Sequence, residues 1–242
     1  MTETEQLVIQ IEKEKVVDDE ETLPNKGMIA IKARPALILF LQANPTEAEF
    51  DWEREYAFIE EKISGAIDKD KLELKKKKNV SLDDMIDAIE DYEPHFIHFS
   101  GHGKDEKIDR KGETVTPSGL VLHSEDKNKE KLITPEILEL QFEELKNEYP
   151  QISIVLLSAC HSQKQAEAIS KAGIYTIGTS DEIIQEAAIK FAAGFYRKLA
   201  KTMDVPASIQ GGISRSISAD PKIKKLIHLF YKGKKITLKS KK

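Results

Sequence analysis

ISIVLLSACHSQKQAEAISKAGIYTIG, residues 152–178, reads as one strand–helix–strand unit. Ile152–Ser158 is nearly all apolar, the pattern of a strand buried on both faces rather than one that alternates. Gln163–Lys171 is a helix ended by Gly173, and Ile174–Gly178 is a second strand.

Upstream, the same grammar repeats. Ala36–Leu41 (ALILFL) is a buried strand closed by Asn44–Pro45. The spacing predicts a helix over Thr46–Ile67, with Phe50, Ala57, Phe58 and Ile63 facing inward and Thr46 with Glu49 as a capping box. A short strand at Leu72–Lys75, a helix at Ser81–Asp91 capped by Ser81, and a third strand at His95–Ser100 (HFIHFS) follow. Residues 103–132 are charged and glycine-containing and read as a long loop holding one hairpin strand, Gly119–His123. Downstream come helices from Thr134–Pro135 to about Asn147, at Glu182–Lys201 and at Val205–Ser216, and a last strand, Leu226–Tyr231. Strand–helix repeats of this kind predict an α/β fold: a mostly parallel central sheet covered by helices on both faces. Active sites in such sheets lie beyond the carboxyl ends of the strands.

At the chain's ends, residues 1–33 read as an acidic arm outside the core, in which VIQI at 8–11 suits an edge strand. Residues 34–232 form the expected domain and residues 233–242 a basic tail. Lys75–Lys78 and the nine lysines of residues 222–242 read as solvated faces and frayed tail.

Composition narrows the function classes. The 37 Lys and Arg against 42 Asp and Glu give a net charge of −5, so no global basic field favours nucleic acid. No apolar run is long enough for a membrane helix and the N-terminus lacks a signal-peptide layout, which predicts a cytoplasmic protein without a membrane partner. Neither GxxxxGKS nor GxGxxG is present, which disfavours a nucleotide-binding domain.

Two strand ends carry the candidate chemistry: HFIHFS followed by Gly101-His102-Gly103, and ISIVLLS followed by Ala159-Cys160-His161-Ser162. Cys160 is the sole cysteine, so neither an intrachain disulfide nor an all-cysteine metal site can form. Placed where a strand hands over to a helix, its thiol would feel the positive end of the helix dipole. His102, read as sitting on a glycine-flanked turn, is the candidate base; the N–H groups of Gly103 and Cys160 are candidate oxyanion donors. A zinc site from His95, His98, His102, His161 and Cys160 fits poorly, because His95 and His98 point to opposite faces of a strand, so no metal and no cofactor are expected. His161 is an alternative base, but a strand-like backbone would turn it away from its neighbour Cys160.

HFSGHG (residues 98–103) and LLSACHS (156–162), followed by IYTIGTSDEIIQEAAIKFAAGFYRKLA from Ile174, resemble the CHAT family of caspase-like cysteine peptidases, relatives of separase, caspases and metacaspases. ILFLQANP (38–45) and AAIKFAAGFY (187–196) extend the resemblance over most of the chain. It implies a caspase-like three-layer sandwich, a His102–Cys160 dyad with Gly103 in the oxyanion hole, and peptide hydrolysis through an acyl-thioester. Related enzymes cut after Arg or Lys using carboxylates, which makes Asp181 the candidate specificity residue, desolvated beside the crevice, and Glu182 the helix-start residue with a secondary claim. Family members often carry helical repeats or a sensor domain; with only a short arm here, regulation is expected from elsewhere, by a separately encoded activator or sensor, oligomerisation, the arm itself, or clipping at Lys127–Lys131, and the resemblance implies a protein substrate and a role in defence or cell death. The competing reading is a catalytically silent caspase-like interaction module.

Overall fold

The structure, a computed structural model, describes residues 35–45, 51–65, 71–109 and 114–237. The arm and its VIQI segment, and the Thr46–Glu49 cap pair with Phe50, lie outside the described residues. The parallel core is made by β1 (Ala36–Ala43), α1 (Trp52–Ser64), β2 (Leu72–Lys77), α2 (Leu82–Tyr92) and β3 (Phe96–Lys104). An insertion follows, holding the strands β4 (Lys107–Ile108), β5 (Thr114–Thr116), β6 (Gly119–His123) and β7 (Glu130–Ile133). The core then resumes with α3 (Pro135–Glu148), β8 (Ile154–Ser158), α4 (Gln163–Ser170), β9 (Tyr175–Thr179), α5 (Gln185–Thr202) and α6 (Val205–Ser216), and closes on α7 (Ile223–Leu226), β10 (Ile227–Tyr231) and β11 (Lys234–Ile236).

The main sheet runs β11-β10-β9-β8-β3-β1-β2. Strands β2, β1, β3, β8 and β9 are parallel, whereas β10 and β11 add antiparallel at one edge. β11 brings Lys234–Ile236, expected in a basic tail, into the sheet, where Ile236 pairs with Leu229 and joins the core at only 7% exposure. The five parallel strands stand in the order second, first, third, fourth, fifth, so the winding direction reverses between β1 and β3. Such a reversal leaves a crevice past the carboxyl ends of the two strands.

Strand alternation sorts the core into two layers. Ile38, Phe40, Phe96, Ile154 and Leu156 face α1, α5 and α6, while Leu39, Leu41, Ile97, Val155 and Leu157 face α2, α3 and α4. This is the helix-covered, mostly parallel α/β sheet that the pattern predicts, with the three layers of the caspase-like sandwich that the family resemblance implies. Local chemistry sets the helix ends. Ser81 and Asp84 form a reciprocal capping box at α2, whose Met85, Ala88 and Ile89 are buried. Asp204 accepts from Ala207 N at 2.8 Å to start α6.

Helix α1 corrects the sequence reading in phase and in start. Asp51 caps it by accepting from Arg54 N at 3.0 Å, and the buried face is Glu55, Tyr56, Ile59 and Ile63; Ala57 is exposed. A carboxylate on the inward face made the apolar stripe look rotated. The second correction concerns β3. His102 lies inside this strand rather than on a turn, because β6 folds back antiparallel and pairs His102 with Val121 and Gly103 with Leu120. The long insertion thus prolongs the strand beyond the point where β8 stops pairing with it.

Candidate active site

Polar residues appear where three apolar strands end. Gln42 of β1 is in register with Ser100 of β3, which is in register with Ser158 of β8. Two residues further along lie Asn44, His102 and Cys160, of which only His102 is still in a strand, while Asn44 and Cys160 follow the ends of β1 and β8. Gly101 and Gly103 let the strand ends converge. A Cβ at Gly101 would lie 2.6 Å from the Ala43 carbonyl oxygen, and one at Gly103 would overlap the carbonyl oxygen of Cys160. The glycines that flank His102 are therefore required by backbone approach on both sides.

His102 is partly buried, and its Nε2 lies 2.9 Å from Asn44 Oδ1. An amide oxygen only accepts, so Nε2 carries the proton and Nδ1 the lone pair. Burial pulls the His102 pKa below the ordinary imidazole value; Glu130 opposes this and Lys104 adds to it. The ring is thus neutral near pH 7 and able to accept a proton.

Cys160 is partly buried on a tight turn after β8. The Ala159 carbonyl accepts from Ser162 Oγ and from Thr179 Oγ1, each at 2.8 Å, and Ser162 Oγ accepts from Thr179 N at 3.0 Å. Occupied in this way, the Ser162 hydroxyl does not cap α4. His161 takes a left-handed backbone, φ 51°, rather than the strand-like one expected; its N–H points to Asp181 O at 3.5 Å and its Nδ1 lies 4.0 Å from Asp105 Oδ2.

The thiol's electrostatics differ from the helix-dipole expectation. Burial pushes the Cys160 pKa up; the Ile183 backbone N–H pulls it down, and the carboxylates of Glu182 and Asp181 push it up again. The resting sulfur is a neutral thiol. Asp181 and Glu182 are brought next to Cys160, on the Ser180–Ile184 segment between β9 and α5. Two details depart from expectation: the Asp181 carboxylate is exposed rather than desolvated, with Oδ1 accepting from Glu182 N at 2.8 Å, and Glu182 is not the helix start, which falls at Gln185.

With this geometry, a family model described as CHAT domain matches residues 22–212. The chain belongs to the CHAT domain family. A curated relative from Gillisia limnaea named "Probable protease" is 30% identical over 224 residues, covering 90% of this chain and 36% of the relative. The chain therefore spans about a third of the length of that CHAT domain relative. None of its helices, among the described residues, is long and apolar enough to cross a membrane, and no cluster of three or more His, Cys, Asp or Glu side chains suited to a metal ion occurs among them.

Sequence reasoning missed Asn44 and Glu55 of this CHAT domain. A signal for the first was present: three apolar runs are each followed by polar-x-polar, Gln42-x-Asn44, Ser100-x-His102 and Ser158-x-Cys160. Glu55 was hidden by the wrong helix phase.

Proposed function

We propose that the chain is a cysteine endopeptidase with Cys160 as nucleophile and His102 as general base and acid. The observation that carries this reading is the convergence of the β3 and β8 ends, where Gly103 packs on the Cys160 backbone and the neighbouring His102 is oriented by Asn44. Membership of the CHAT family and the name of the Gillisia relative support peptidase activity in general.

The electrostatics favour proton transfer during attack over a preformed ion pair, since burial holds the thiol up and the imidazole down. The thiol proton passes to the His102 nitrogen that carries the lone pair while the sulfur bonds to the scissile carbonyl carbon. The oxyanion is met by the N–H groups of Gly103 and Cys160. His102 then returns the proton to the departing amine as the C–N bond breaks, and water, deprotonated by the same imidazole, hydrolyses the thioester. Asp181, with Glu182, is assigned to bind an Arg or Lys side chain before the scissile bond. Their exposure suits a site open until a cation neutralises it. Control by a separate sensor or partner, in a defence or cell-death setting, follows from family analogy.

The test is labelling with an acyloxymethyl-ketone probe bearing Arg, against matched Asp and Leu probes. Arg-selective labelling lost in Cys160→Ala and in His102→Ala is the expected outcome. A protein that folds normally but reacts with no probe, even with host lysate added, is the silent module instead.

A further inference from the structure

Under the two strand ends lies a carboxylate shut off from solvent. Glu55 is 1% exposed. Its Oε2 accepts from the Ser100 hydroxyl at 2.6 Å and its Oε1 from the Ser158 hydroxyl at 2.7 Å. His98, 0% exposed, places Nε2 3.3 Å from Glu55 Oε1, out of line for a good hydrogen bond, so its pull is mainly electrostatic. On its other side, His98 Nδ1 shares a hydrogen bond with Tyr196 of α5 at 3.2 Å.

Packing does not explain this residue. A buried carboxylate is costly unless fully hydrogen-bonded and faced by a compensating group, and an apolar side chain of similar volume generally serves a core as well or better. The position of the acceptors is informative. Ser100 and Ser158 are register partners, and theirs is the last rung of the β3–β8 ladder. Past that rung β3 goes on with β6, and β8 turns away toward α4. His102 and Cys160 both lie two residues beyond it.

We propose that Glu55 is a positioning residue whose single carboxylate ties Ser100 to Ser158 and so fixes the spacing of the strand ends that carry His102 and Cys160. This rests on the dyad reading above. The side-chain clamp reinforces the last rung of the ladder, beyond which no β3–β8 pairing holds the two ends together. The lowered Glu55 pKa fits the role: burial raises it, but His98 and the two serine hydroxyls together outweigh burial and keep the acceptor ionised. Reactions between positioned groups are steep in distance, with a misplacement of about 1 Å able to cost about 10²-fold.

Because Cys160 is the sole cysteine, its alkylation by iodoacetamide reports on the pair without a substrate. The rate is measured across pH 6–9 (about the range over which thiol and imidazole titrate) in wild type, Ser100→Ala, Ser158→Ala, Glu55→Gln and Ser158→Thr, each also combined with His102→Ala. Circular dichroism and thermal melts verify folding. The clamp predicts that either alanine variant, and Glu55→Gln, slows neutral-pH alkylation by about tenfold, that Ser158→Thr restores it, and that none has an effect beyond about twofold once His102 is gone. Wild-type rates in folded Ser100→Ala and Ser158→Ala, with His102→Ala slow, would overturn the clamp and leave the dyad standing. Equal slowing with and without His102 would make Glu55 a structural residue only. If His102→Ala alone changes nothing, the dyad reading fails and the clamp falls with it.

Discussion

Glu55 and Asp181 are both carboxylates at the carboxyl end of the sheet, and they are held on opposite terms. Glu55 is 1% exposed and accepts hydroxyl hydrogen bonds from two strands, whereas Asp181 is exposed and accepts from the backbone N–H of the next residue. A charge in the interior must have its partners built in, and once built they fix the geometry around it. A charge on the rim is screened, costs little to leave open, and is available to a ligand. On the proposed roles, the comparison divides the site into a floor that sets where atoms are and a rim that would select what enters.

The hardest test of the floor is Gly103→Ala. A methyl group at this position overlaps the Cys160 carbonyl oxygen, so either β3 or the Cys160 turn has to shift. Because neither contact is the flexible end of a side chain, the expected cost is about 2 kcal/mol in stability and a loss of cleavage of about 10²-fold or more. Thermal melts and probe labelling measure the two effects separately. Full activity would mean that the strand ends are soft, and the floor would lose its distinction from the rim.

Asn44→Ala probes the floor more gently. Losing the oxygen that holds His102 Nε2 at 2.9 Å frees the ring to rotate and to change tautomer, for an expected loss of about 10–10²-fold in kcat with little change in KM. The pH profile supplies the sign. A lowered His102 pKa means that the unprotonated base survives to more acidic pH, so the acid limb of kcat/KM lies below about pH 6.5, the free imidazole value. Cys160, pushed up, places the alkaline limb above about pH 8.5. Steady-state rates on a basic peptide from pH 5 to 10 check both; an acid limb above the ordinary imidazole value would mean that burial does not hold the His102 pKa down, against the neutral pair.

How much of this was legible in the sequence depended on range. The runs ALILFL, HFIHFS and ISIVLLS declared their strands because burial on both faces leaves a continuous apolar signature. His102 and Cys160 stood out by following those runs. What was not legible required a partner distant in the chain. His102 looked like a turn residue because β6, which extends its strand, arrives from the insertion. Glu55 reads as a surface acid until Ser100 and Ser158 are placed above it. The raised thiol was hidden for the same reason, since the burial and carboxylates that raise it come from folding and outweigh the expected dipole.

The smallest expected effect belongs to the rim, and it carries two signs. Asp181→Ala removes one of the carboxylates that raise the Cys160 pKa, so the thiol should become slightly more reactive toward a small neutral alkylator, by about twofold at most given the exposure of the charge. The same substitution should weaken labelling by an Arg probe relative to a Leu probe and leave stability within about 0.5 kcal/mol. Opposite signs on the two reagents separate a rim role from a general disturbance, which would slow both. On the proposed roles they would also link selection to activation: a basic side chain seated against Asp181 and Glu182 would neutralise the charges that add to burial in raising the Cys160 pKa, so a preferred substrate would make the nucleophile easier to ionise. Raising ionic strength should mimic the substitution on the neutral alkylator. If salt and Asp181→Ala both leave alkylation unchanged while Arg selectivity persists, the binding carboxylate lies elsewhere, and Glu182 is the next residue to replace.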